Sequence, residues 1–224
     1  MIRYALALNR FFTVAAIGVP IMEQPPVPPT QIFPQTEDTF FYTFYFQVEG
    51  VAEKEFEADI RRTFLKIYYA ASAGVGLRLE GDGTPNPFGM VSRNHGLLAS
   101  LPMPDFDLPW LTAGNLAVFV SDYAGSGFRG GLNLNRNLDC YWGFVRHLQV
   151  SGPGARPLYG RHSRSRPFDA GRAADERRTK GPRPTREPIF LDGCGHWAPQ
   201  EQSTKVSEVL VRFLAELTPQ EQRF

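Results

Sequence analysis

Apolar residues recur at helical spacing in three stretches of the chain. Over Ala52 to Ala71, Phe56, Ile60, Phe64 and Ile67 fall at intervals of four and three with charges on the other face, which predicts one amphipathic helix. Over Pro109 to Ala124, Leu116, Phe119, Val120 and Tyr123 form a second stripe that Gly125 and Gly127 end. Near the C-terminus Val206, Val209, Leu210, Phe213, Leu214 and Leu217 follow the i, i+3, i+4, i+7, i+8, i+11 series until Pro219 closes it, which predicts a final helix packed on a sheet. Phe11 to Pro20 reads differently. Its unbroken β-branched and aromatic run ends at glycine and proline, as expected of a buried parallel strand, with Met1 to Asn9 the tail of a preceding helix.

The segments between these elements are set by their turn chemistry and composition. Pro25-Pro26-Val27-Pro28-Pro29 is extended, because proline fixes φ and lacks the amide hydrogen, and reads as a stiff connector. Ser72 to Leu108 is rich in Gly, Pro and Asp and reads as loop. Tyr159 to Pro188 contains no Leu, Ile, Val or Met, so it has little to bury against its ordering entropy and is expected to be disordered. The resulting organisation is a core remnant over 1–24, a helical insert over 25–145, and a C-terminal core over 146–224 that includes the Arg-rich segment 159–188.

Charge sharpens that reading. Gly154 to Pro188 holds nine Arg and one Lys against four acids, a net +6, so the rest of a chain whose total is +1 carries −5. The basic tract is aromatic-poor and no recognisable nucleic-acid-binding fold surrounds it, so no nucleic-acid partner is expected. Two cysteines, Cys140 and Cys194, make no disulfide framework or metal spacing and fit a cytoplasmic setting. Asn9 and Arg10 interrupt the early apolar stretch and no cleavage site follows, so a signal peptide is not expected. No apolar run approaches the roughly 18 residues of a membrane span, so no membrane partner is expected either.

Candidate chemistry concentrates in Asp192-Gly193-Cys194-Gly195-His196-Trp197. A histidine on a Gly-flanked turn, after a short β run and before an amphipathic helix, suits a general base better than a core or surface role, because the turn presents the imidazole. Upstream there is no Gly-x-Ser-x-Gly or Gly-x-Asp-x-Gly nucleophile elbow. Four segments taken together carry a resemblance: Phe41 to Glu53, Gly127-Phe128-Arg129-Gly130-Gly131-Leu132-Asn133, Arg136-Asn137-Leu138-Asp139, and Cys194 to Trp197. In this order they resemble the soluble epoxide hydrolases of the α/β-hydrolase superfamily, over most of Phe11 to Leu158 and Glu187 to Leu217.

That resemblance implies a partial α/β-hydrolase fold, an incomplete parallel sheet with a helical lid. It also implies a small-molecule epoxide as substrate, with no cofactor or metal. In such enzymes an aspartate opens the epoxide at carbon, giving an ester that water hydrolyses. A histidine activates that water, an acid orients the histidine, and two lid tyrosines donate hydrogen bonds to the oxygen as it becomes an alkoxide. His196 matches the base and Tyr42 the first tyrosine, whose alternative is a core aromatic in a strand-like run. Phe46 and Trp197 match substrate-lining positions.

The sequence departs from the family at three places. Asn135 stands where the second tyrosine falls, with Leu134 where a tryptophan usually precedes it. The acid turn is replaced by Gly160 to Arg166, with Asp169 and Asp175 nearby but out of context. The aspartate nucleophile would precede residue 1, so the chain is expected to be truncated and catalytically impaired. Losing earlier strands would leave an open sheet edge, which predicts self-association through it.

Overall fold

The computed structural model describes residues 14–18, 25–75, 89–145, 155–161 and 189–216. They divide into two units, one formed by Met1–Gln24 with Val145–Phe224 and the other by Pro25–Phe144. Strand β1 (Val14–Ile17) is the middle of the apolar run read as a parallel strand. The flanking 11–13 and 19–20, and the helix expected over Met1 to Asn9, lie outside the described residues.

In the second unit, β2 (Thr39–Phe41) pairs antiparallel with β3 (Met90–Ser92), with Phe40 opposite Val91. Helix α1 (Tyr42–Gln47) follows β2 directly, so the aromatic run is strand and then helix. Phe41 supplies no side-chain cap. The Tyr42 N–H donates instead to the Gly89 carbonyl at 2.7 Å, which satisfies one of the orphan donors of the helix start.

The single helix expected over Ala52 to Ala71 is two helices, α2 (Val51–Glu57) and α3 (Ile60–Ala70). Asp59 causes the break. Its backbone is extended at φ −152°, and its carboxylate accepts the Arg62 N–H at 2.9 Å, so it caps a new helix instead of continuing the old one. The apolar spacing carries across the join, where the buried Thr63 hydroxyl donates to the Phe56 carbonyl at 2.9 Å.

The loop expected over Ser72 to Leu108 also needs correction, because it contains a 3-10 turn (Ala73–Val75), strand β3 and helix α4 (Gly96–Ser100). Residues 76–88 lie outside the described residues. Elements this short show no readable period, and distant side chains hold them. Glu55 accepts the Leu97 and Leu98 N–H groups at 3.2 and 2.9 Å and the Tyr45 hydroxyl at 2.8 Å. The Lys66 ammonium, 7% exposed, donates to the Leu98 and Leu101 carbonyls at 2.6 and 2.9 Å. Burial, with the Arg62 charge, lowers the Lys66 pKa, and the Glu55 charge opposes that shift.

Helix α5 (Ala113–Ser126) begins later than Pro109 because Thr112 caps it, its hydroxyl accepting the Asn115 N–H at 3.1 Å. It stops at Gly127, whose φ of 66° and tight approach to Glu57 leave no room for a side chain: a Cβ there would sit 2.7 Å from Glu57 Oε1. The stripe predicted on α5 packs on α3, with the Phe64 ring centroid 5.4 Å from Phe119 and 4.9 Å from Tyr123. Helices α6 (Arg129–Arg136) and α7 (Leu138–Val145) complete the insert.

Strands β4 (Ala155–Arg161) and β5 (Ile189–Asp192) join β1 in a parallel sheet of order β1-β4-β5. Tyr159 to Arg161 therefore belong to a strand, paired with Phe190 to Asp192, and not to a disordered segment. The backbone ladder holds β4 where aliphatic side chains are scarce, Ala155 to Leu158 pairing with β1 and Leu158 to Arg161 with β5. Residues 162–188 lie outside the described residues.

After β5 come α8 (Ala198–Glu201) and α9 (Ser203–Ala215). Leu191, Cys194, Ala198 and Val206 form the buried core here, with Ile17, Ile189 and Leu210 packed against it. Leu214, at the margin of the predicted stripe, is 54% exposed, while Leu217 and Pro219 fall outside the described residues. Among the described residues no helix is long and apolar enough to cross a membrane.

Candidate active site

The turn carrying His196 is built from both ends. β5 ends at Asp192, and Gly193 takes a positive φ of 67° that redirects the chain. Cys194 then plugs the core at 0% exposure. Burial, with the nearby Glu201 charge, pushes its thiol pKa up to about 11, so it acts as an apolar anchor and not a nucleophile. Beyond the turn, the Glu201 carboxylate accepts the Gly195 N–H at 3.1 Å and the Trp197 N–H at 3.2 Å.

The His196 ring stands edge-on to Trp197, with centroids 4.7 Å apart at 76°. The residue keeps solvent access. Protein packed on its other sides lowers its pKa by desolvation, and the negative charge of Glu201 opposes that shift. The result is an accessible imidazole that is neutral near pH 7 and able to accept a proton.

Gly18, just past β1, lies against the same turn. Its φ is +74°, and a Cβ there would sit 3.0 Å from the His196 carbonyl oxygen and 3.8 Å from Nδ1. Gly18→Ala is therefore expected to destabilise the protein by about 1–2 kcal/mol and to displace the imidazole. Thermal melts and the His196 ring chemical shifts check this; both unchanged would contradict the packing described.

In the helical unit, Tyr42 opens α1 with its ring 5.3 Å from Phe46 in an edge-on pair. Burial raises its pKa, partly offset by a hydrogen bond with Thr43, so the phenol stays protonated and able to donate. Gly89 makes room for it, since a Cβ there would lie 2.7 Å from Tyr42 Cδ1. Phe46 is 8% exposed and packs on Phe56 at 5.9 Å as well as on Tyr42. Asn135, half-buried on α6, accepts the Gln47 Nε2–H at 3.1 Å through its backbone carbonyl. Beside it Arg136 donates to the Phe46 carbonyl at 2.7 Å and to both oxygens of Glu53 at 2.7 and 3.0 Å.

The structure thus pairs Tyr42 with Phe46 in one unit and His196 with Trp197 in the other. Of the expected acid region, Gly160 and Arg161 lie in β4, while 162–166, Asp169 and Asp175 lie outside the described residues. Gly18, Gly89, Arg136 and Glu201 escape the sequence reading as site residues. Gly18 leaves a signal, as the glycine that closes an apolar strand; Glu201 leaves none, because its partners are backbone amides.

A parallel sheet, a histidine on the turn between its last strand and the closing helices, and a helical unit between the first two strands in sequence define a partial α/β-hydrolase with a helical cap. No protein-family profile matches the chain. Over 224 residues it is 31% identical to epoxide hydrolase A of Mycobacterium tuberculosis, covering 95% of this chain and 64% of that protein. It is 26% identical over 210 residues to rat bifunctional epoxide hydrolase 2, covering 92% of this chain and 35% of that one.

Among solved structures, epoxide hydrolase A from Mycobacterium thermoresistibile matches at 30% identity and a TM-score of 0.71, over 96% of this chain and 66% of that one. An epoxide hydrolase from an endophytic Streptomyces matches at 29% and 0.77, over 93% and 63%. The chain is a relative of the epoxide hydrolases, and it spans under two thirds of the length of the curated relatives it matches.

Proposed function

We propose that this chain carries the base and lid portions of an epoxide hydrolase site, which converts an epoxide and water to a vicinal diol. The observation that supports it most is the accessible, neutral-leaning His196 on its braced turn. His196 takes a proton from the water that attacks the ester joining the opened epoxide to a carboxylate, and cleavage of that ester releases the diol and restores the carboxylate. Tyr42, kept protonated by burial, donates its O–H to the oxirane oxygen as that oxygen gains charge. By the resemblance, Phe46 and Asn135 are the substrate-lining residues of the helical unit, Asn135 as a shorter donor in place of a second phenol, and Trp197 is that of the unit carrying His196. The proposed chemistry needs no cofactor or metal, and the setting is cytoplasmic.

Turnover of a simple aromatic epoxide by the purified chain, beside His196→Ala, tests this. Diol formation that disappears in the variant supports it, and no turnover above the variant overturns it. A second reading, a hydrolase-derived interaction module without turnover, is favoured by Asn135 standing where the resemblance places the second lid phenol.

Self-association belongs to the same proposal. Among the described residues β1 pairs on one side only, with β4, and leaves backbone groups open on the other. Light scattering of the purified chain is expected to show dimers or larger species; a stable monomer across concentration would remove this part.

A further inference from the structure

We propose that Glu201 is the positioning residue of the candidate base, its carboxylate holding the Gly195–Trp197 turn on which His196 stands. The inference rests on the reading of His196 as the base. Gly195 donates its N–H to both Glu201 oxygens at 3.1 Å, and Trp197 donates to Oε1 at 3.2 Å. In return the Glu201 N–H donates to the Trp197 carbonyl at 2.8 Å, so carboxylate and backbone close the turn reciprocally.

The two amides bound by Glu201 flank His196, one on each side. Fixing the 194–195 and 196–197 peptide planes limits the backbone freedom of Gly195 and His196 between them, and with it the direction of the imidazole. Gly18 bars the His196 carbonyl side and Trp197 stands edge-on to the ring, so the turn is confined from three directions. Burial of Leu191, Cys194 and Ala198 anchors its ends. Glu201 also sets local charge: it lies close enough to favour protonated His196, while Lys205 on α9 acts on the neighbouring Cys194. A group that accepts a proton and must later release it is served by a nearby fixed carboxylate.

A plain structural cap and a positioning residue differ in what two variants do. Glu201→Ala removes the acceptor. Hydrogen exchange at the Gly195 and Trp197 amides is expected to speed up about tenfold or more, because hydrogen bonds to a charged acceptor are lost. Glu201→Gln keeps an oxygen for those amides but removes the charge, so the turn should persist while the His196 titration, followed by NMR of the full chain, moves to lower pH.

Exchange at both amides within twofold of the parent in Glu201→Ala would overturn the proposal. So would an unchanged His196 titration in Glu201→Gln, which also decides the matter if the alanine variant does not fold. Neither readout needs turnover. A parent chain without activity would therefore remove the enzymatic reading while both measurements on Glu201 keep their meaning.

Discussion

Under the proposed function, replacing His196 with alanine is expected to cut diol formation at least about a hundredfold while moving the melting temperature by no more than about 2 °C. The split follows from where the residue sits. The imidazole is solvent-accessible and outside the buried core of Leu191, Cys194, Ala198 and Val206, so its removal leaves no large cavity. It is also the one side chain of the turn with a proton affinity suited to activating water near neutrality. The pH profile carries a further sign. Because burial lowers the folded-state pKa below the usual 6.5, the unfolded chain binds the proton first on acidification. The contribution of His196 to stability is present above 6.5 and is lost as pH falls through the folded value. Activity should likewise rise with pH through a midpoint below 6.5, and a midpoint above it would contradict this environment.

Arg136→Ala is the substitution expected to cost most stability, about 3–5 kcal/mol. Arg136 and Glu53 side chains are only 9% and 12% exposed, and the guanidinium meets the carboxylate with two nitrogens at 2.7 and 3.0 Å. Without the arginine, Glu53 keeps the Gly50 N–H at 2.9 Å but loses its charged partner while staying desolvated. The Phe46 carbonyl at the end of α1 also loses its donor, which loosens the short helix that presents Tyr42. The acid limb tests the cause. Chiefly through its hydrogen bond with Arg136, the Glu53 carboxyl is lowered from 4.5 to about 2. The pair therefore stabilises fully above 4.5 and fades as pH drops toward 2. Melts at pH 7 and pH 3 should show a large gap between parent and variant that narrows at the lower pH; an equal gap at both would assign the loss to packing instead.

The elements with a long period are legible in the residues, and the partial α/β-hydrolase fold follows from the family resemblance. The Leu116, Phe119, Val120, Tyr123 stripe belongs to α5, and Val206 and Phe213 form the buried face of α9. Resemblance supplies the kinship to epoxide hydrolases, through short segments such as Cys194 to Trp197. Asp59 is not legible in the same way, because a carboxylate among charged helix positions looks like surface, and only its bond to the Arg62 N–H reveals a cap.

Hydrophobic period, and the glycines and prolines that stop it, depend on each residue and its near neighbours along the chain, so the strand at Val14–Ile17 and the amphipathic helices can be read without coordinates. Other features depend on groups that meet only after folding. α4 exists between Glu55 and Lys66, Tyr159 to Arg161 are held by their pairing with β5, and the His196 turn is seated by Gly18 and Glu201. The hydrogen-bond partners of Glu55, Lys66 and Glu201 here include backbone amides and carbonyls, which every residue except proline supplies in full, and a hydrogen bond to so common a group leaves no mark at the residue that supplies it.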